Sequence, residues 1–81
     1  MEKRIGVVAI IVEDKNKVQD VNNLLSEYAE MIVGRMGIPY KEKGLSIISI
    51  IIDGTTDDIG GLTGKLGRIT GVTVKSALTK K

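Results

Sequence analysis

Hydrophobic and polar positions along the chain fall into six blocks with two different periods. Residues 5–13, IGVVAIIVE, are short, β-branched and almost continuously apolar. That is the pattern of a strand buried at the centre of a sheet. Asp14-Lys15-Asn16 follows as a turn, and Asn16 with Gln19 three residues on has the form of a capping box. Val18, Val21, Leu24, Leu25 and Tyr28 then recur on one helical face, which predicts a first helix over 16–30. A weaker apolar block, 31–40, leads to the charged connection Lys41-Glu42-Lys43-Gly44, read as a hairpin. LSIISIIID, 45–53, is a second Ile-rich central strand. Thr55 or Thr56 can cap a second helix, with Asp57 and Asp58 in the first turn, where the helix dipole favours negative charge. Ile59, Leu62, Leu66 and Ile69 form its apolar stripe, Gly71 marks its exit, and VTVKSAL, 72–78, alternates like an edge strand.

The order strand, helix, strand, strand, helix, strand predicts an α+β fold, the ferredoxin-like βαββαβ sandwich. Right-handed crossovers favour an antiparallel four-stranded sheet of order 4-1-3-2, with both helices on one face. The two most apolar runs become the central pair and the weaker two the edges. No linker or low-complexity segment is visible, so residues 1–81 are expected to form a single domain.

Two features exceed what that fold requires. A sheet with one wet face should alternate apolar and polar residues. Here Ile5, Val7, Ala9 and Ile11 oppose Gly6, Val8, Ile10 and Val12, and Leu45, Ile47 and Ile51 oppose Ile48, Ile50 and Ile52. Both faces are apolar, so the helix-free face is expected to be covered by another subunit; the alternative is a monomer carrying surplus Ile. The second feature is IGGLTGKLG, 59–67, in which Gly60, Gly64 and Gly67 share one flank of the second helix, away from its apolar stripe. That flank can receive the neighbouring helix, a partner chain or a ligand. It is not a Walker loop, because Ile59 and Leu66 stand where glycine and Ser or Thr are needed.

Composition narrows the chemistry. The 81 residues contain no Phe, Trp, Cys or His, and 12 basic against 10 acidic residues leave a net charge of +2. The core must be aliphatic, disulfides and thiolate metal sites are excluded, and the commonest general base and metal ligand are missing. No secretory leader is visible, and the first apolar run is too short to span a membrane, so a cytoplasmic location is expected. Glu13-Asp14 and Asp53, Asp57 and Asp58 could hold a hard cation or act as acid and base, but helix capping and solvated loop charge explain them without a function and are the favoured reading. No catalytic residue, metal site or cofactor is expected, and the chain is read as a non-enzyme. Lys41, Lys43, Lys80 and Lys81 could touch nucleic acid, but the first and third strands carry no aromatic platform, so nucleic acid is not an expected partner.

The segment LLSEYAEMIVGRMGIPYKEKGLSIISIIIDG and the later IGGLTGKLGRITGVTVKS resemble the regulators assigned to the iron-only (FeFe) hydrogenase system. These are short ACT-like domains similar to the C-terminal domain of nickel-responsive repressors. The likeness covers almost the whole chain, most tellingly Gly34-Arg35-Met36-Gly37 with Pro39, and Gly64-Lys65-Leu66-Gly67. It implies a regulatory module that oligomerises through its sheet and binds a small ligand at a subunit interface. Nickel sensing does not carry over, because the histidines it uses are missing. The turn Glu13-Asp14-Lys15-Asn16-Lys17 also lacks the glycine with which ACT domains meet an amino acid.

The expected ligand-binding residues are accordingly Glu13, Asp14 and Arg35. Arg35 is a cation in an apolar strand, which needs an anion, a salt bridge to Glu13 or Asp14, or an exposed edge position. The expected subunit contact is Gly34, Met36 and Gly37 with Ile48, Ile50 and Ile52 on the helix-free face. A dimer or dimer of dimers is anticipated, with a small effector or a hydrogenase maturation protein as further partner. The alternative function is a structural interaction protein in hydrogenase assembly that takes no small ligand.

Overall fold

The computed structural model describes residues 2–79; Met1, Lys80 and Lys81, and with the last two the terminal lysines considered above, lie outside the described residues. The chain runs β1 (Lys3–Val12), α1 (Val18–Glu27), β2 (Ile32–Tyr40), β3 (Leu45–Thr55), α2 (Thr56–Gly67) and β4 (Val72–Leu78). The sheet is antiparallel with order β2-β3-β1-β4, which is 4-1-3-2 read from the other edge. The Ile-rich strands β1 and β3 pair over ten residues, from Lys3 opposite Thr55 to Val12 opposite Ser46.

Burial follows strand parity. Val8, Ile10 and Val12 of β1 and Ile48, Ile50 and Ile52 of β3 point toward the helices. They meet Val21 and Leu25 of α1 and Ile59, Leu62 and Leu66 of α2 in one core that contains no buried polar or charged side chain among the described residues. This corrects the expected subunit contact. Ile48, Ile50 and Ile52 are 4%, 0% and 0% exposed beneath the helices, so they cannot reach another chain. The opposite face of β3 belongs to Ile47, Ser49 and Ile51. Both parities are almost equally apolar, and only the landing of the helices decides which one becomes core.

Several boundaries also differ from the expected ones. The first helix is shorter than 16–30: a 3-10 turn at Lys15–Lys17 precedes α1 and another at Ala29–Met31 follows it. The capping box does not form. Asp14 Oδ1 accepts from the Asn16 backbone N–H at 2.9 Å, while Gln19 Nε2 donates to Asn23 Oδ1 at 2.8 Å. A carboxylate two residues before the N–H closes a tight local turn first, leaving Gln19 free for a partner four residues along the helix. At α2 the expected cap forms, with Thr55 Oγ1 accepting from the Asp58 N–H at 3.1 Å. β2 carries a register shift between Ile32 and Gly34 that leaves Val33 69% exposed. This bulge separates Ile32, which packs on the core, from Gly34, Met36 and Ile38 on the other face.

Candidate functional site

Antiparallel register brings three backbone segments to one end of the molecule. The end of β1, the start of β3 and the end of β2 lie side by side, with Val12 opposite Ser46 and Ser46 opposite Pro39. All three residues are on the helix side of the sheet, just beyond the first turn of α1. Between the β1–α1 turn and the β2–β3 hairpin is a cleft of about 710 Å³. Val12, Pro39 and Leu45 supply its apolar wall; Glu13, Asp14, Lys15, Asn16, Lys41 and Ser46 bring charge and hydrogen-bonding groups to it.

The β1–α1 turn is held from outside. The Glu13 N–H donates to the Gly71 carbonyl at 2.8 Å, and the Lys17 N–H donates to the Asp14 carbonyl at 2.9 Å. With its carboxylate on the Asn16 N–H, Asp14 is already spent in shaping the loop. Across the cleft, a 3-10 turn at Lys41–Lys43 ends at Gly44, whose N–H donates to the Lys41 carbonyl at 3.1 Å.

Of the expected ligand residues, Glu13 and Asp14 line this cleft and Arg35 does not. Arg35 lies four residues up β2 from Pro39, roughly 13 Å along the strand. There its Nη2 donates to Asn22 Oδ1 of α1 at 2.9 Å, beside a separate shallow depression that includes Leu25, Ser26 and Ile32. Within one chain the three residues therefore do not meet, and Arg35 is partnered there by a neutral amide oxygen. Lys15, Asn16, Pro39, Lys41, Leu45 and Ser46 went unrecognised. Their signal was the register itself: setting Val12 beside Ser46 and Pro39 puts both turns at the same end.

The acidic groups show no metal geometry. Among the described residues no three of His, Cys, Asp and Glu stand close enough to hold an ion.

The helix-free face is a second candidate. In rows across the sheet it presents Ile38, Ile47, Ile11 and Thr73; then Met36, Ser49, Ala9 and Lys75; then Gly34, Ile51, Val7 and Ala77. Ile5, Val7, Met36, Ile38 and Ile51 are each about half exposed or more, from 46% to 65%. Of the expected contact residues, Gly34 and Met36 lie on this face, whereas Gly37 pairs with Ile48 and so faces the helix side.

Among the described residues, the glycine flank of α2 meets nothing. A Cβ on Gly60, Gly64 or Gly67 would enter open space, which removes the neighbouring helix as its occupant. Gly61, off that stripe, is the position that approaches α1: its Cβ would lie 3.2 Å from the Tyr28 hydroxyl. Lys65 Nζ sits 5.3 Å over the same tyrosine ring, and its hydrogen bond with Tyr28 raises the ammonium pKa above its usual 10.5.

Comparison with known proteins adds the following. A family model, TM1266-like, described as "Iron-only hydrogenase system regulator, putative", matches residues 4–76. The solved structure of uncharacterized protein TM1266 from Thermotoga maritima is similar at 42% identity and TM-score 0.93, covering 98% of this chain and 100% of that one. Two more distant likenesses concern the fold alone. A formyltetrahydrofolate deformylase from Pseudomonas putida KT2440 aligns at 13% identity and TM-score 0.65, over 90% of this chain and 28% of that one. The de novo designed protein Foldit4 aligns at 18% identity and TM-score 0.61, over 99% of both chains. No curated protein matches. No helix of the described residues is long and apolar enough to cross a membrane.

Proposed function

Because the chain belongs to the TM1266-like family, we propose that it is a non-enzymatic regulatory module of the iron-only hydrogenase system, working as a homo-oligomer that responds to a small effector. The observation that carries this reading is the helix-free face. Four strands about 4.8 Å apart and roughly eight residues at about 3.3 Å rise make a surface on the order of 500–600 Å² in plan. That matches the largest apolar patch a monomer usually exposes and approaches the roughly 800 Å² per partner of a standard interface.

Its composition suits a second copy better than a foreign protein. Across the three central rows, β1 and β3 contribute only Ile11, Ala9, Val7, Ile47, Ser49 and Ile51, with Lys75 at the β4 edge. Homodimer interfaces are more apolar than those between proteins that also exist apart, and their cores are poor in charge. Stacking two sheets leaves each cleft on its helix side, open to an effector.

The test is the mass in solution. Sedimentation at micromolar concentration is expected to give at least twice the 8.7 kDa chain mass; a clean monomer would sink the oligomeric reading. A second reading, an assembly protein without a small ligand, is favoured by the same face if its occupant is a hydrogenase maturation protein. Co-purification with such a protein, and no stabilisation by amino acids, nucleotides or divalent ions in thermal-shift screening, would support it.

A further inference from the structure

We propose that Lys75 decides which surface of this chain can meet another copy: by facing its own counterpart, it bars the free edge of β4 from pairing with the β4 of a second molecule. This holds whether or not a second copy covers the helix-free face.

β4 pairs with β1 on one side, and its other side is an open edge of the sheet. Two hydrogen bonds fix which residues serve that edge. The Thr79 N–H donates to the Ile5 carbonyl and the Glu13 N–H to the Gly71 carbonyl, both at 2.8 Å. Residues 71 and 79 therefore turn their backbone groups toward β1, and Thr73, Lys75 and Ala77 share that parity. Val72, Val74, Ser76 and Leu78 turn theirs outward. None of the four is proline, so each has an N–H to give. Such a row is a template for another strand. β2, the opposite edge, is interrupted instead: its register shifts between Ile32 and Gly34, and Pro39 lacks an N–H.

The most complete self-pairing of β4 is antiparallel about its midpoint. Val72 then meets Leu78 of the second copy, Val74 meets Ser76, and every outward N–H and C=O is used. The midpoint of Val72–Leu78 is Lys75, so the two copies of Lys75 stand opposite one another. Because the Lys75 backbone is directed to β1, they form a non-hydrogen-bonded pair, in which Cα atoms approach to about 4.5 Å and side chains lie close. Like charges directly opposite destabilise a strand pair. No acid in the central rows of the helix-free face offsets them, since Lys75 is the only charged side chain there. Sliding one strand by a pleat separates the lysines, but leaves either Val72 and Thr73 or Ala77 and Leu78 without a partner.

Sedimentation of the full chain at high micromolar concentration and low salt tests this, with the wild-type mass as reference. Lys75→Thr is expected to at least double that mass. Lys75→Glu, which restores a facing pair of like charges, should leave it unchanged. An equimolar mixture of wild type and Lys75→Glu sets opposite charges face to face, and is expected to reach at least twice the mass of either alone. Ser76→Pro added to Lys75→Thr removes an outward N–H and should return the mass to the reference. A Lys75→Thr mass equal to wild type, or a mixture no heavier than its components, overturns the proposal. Growth that survives Ser76→Pro also overturns it, because such growth runs through the apolar face rather than the edge. The wild-type mass by itself judges only the oligomeric reading above, so the two fail separately.

Discussion

The Glu13 backbone N–H donates to the Gly71 carbonyl at 2.8 Å, and a Cβ on Gly71 would stand 3.2 Å from the Cβ of Asp14. The exit of α2 thus supports the loop that forms one wall of the cleft. Gly71 has φ +83°, a conformation that costs an L side chain about 1–2 kcal/mol. Gly71→Ala is expected to lose about that much in urea unfolding and to shift the amides of residues 13–16. An unchanged midpoint would mean that this turn relaxes freely and does not brace the cleft.

Ile50 and Ile51 are neighbours in sequence with opposite fates, 0% and 46% exposed. Ile50→Ala should cost about 2–5 kcal/mol, because it empties space between the sheet and both helices. Ile51→Asp places a charge at the middle of the helix-free face. It should leave the circular dichroism of the fold intact and reduce the sedimenting mass to that of one chain. Val33→Lys, on the β2 bulge, should leave the mass unchanged. If Val33→Lys rather than Ile51→Asp breaks the oligomer, the contact runs through the sheet edge.

Gly6 permits close approach of β4. A Cβ there would lie 2.6 Å from the Ala77 carbonyl oxygen and would overlap the Leu78 side chain. The carbonyl belongs to paired backbone and cannot swing aside. Gly6→Ala is therefore predicted to destabilise by about 1–3 kcal/mol, the range for overpacking, with amide exchange accelerating first in β4. Uniform acceleration across the whole sheet would contradict a local clash.

Lys65 and Tyr28 provide a pH test. The hydrogen bond with Tyr28, assisted by the charge of its phenolate, raises the Lys65 pKa above 10.5 in the folded chain. A group raised on folding contributes stability that is fully present below its unfolded value and is lost as pH rises through the folded one. Tyr28→Phe should therefore return the Lys65 Nζ titration, followed by NMR, toward 10.5. It should also remove any loss of stability specific to pH above that value. An identical titration in the variant would assign the shift to another neighbour.

Much of the architecture was legible in the pattern of residues. Two Ile-rich runs could serve only as central strands, and Val21 with Leu25, and Ile59 with Leu62 and Leu66, could serve only as buried helical faces. Thr55 and Thr56 were both legible as caps, and the structure uses Thr55, whose hydroxyl accepts from the Asp58 N–H. Asn16 was misread because Asp14, two residues before it, offers a shorter loop. Arg35 was grouped with Glu13 and Asp14 by charge; within one chain, strand geometry carries it away from them and to Asn22.

By itself, then, the sequence determined the element order, the central pair of strands and the excess of apolar surface over what one pair of helices can cover. These follow from hydrophobic periodicity, which is local. Only the tertiary structure decided that Ile48, Ile50 and Ile52 are core while Ile47 and Ile51 face outward, since the two parities of β3 are nearly equal in hydrophobicity and the helices must land on one of them. It alone also placed Lys15 and Lys41 on the same cleft. They are 26 positions apart in sequence, and antiparallel pairing of β1 with β3 and of β3 with β2 is what returns both turns to the same end.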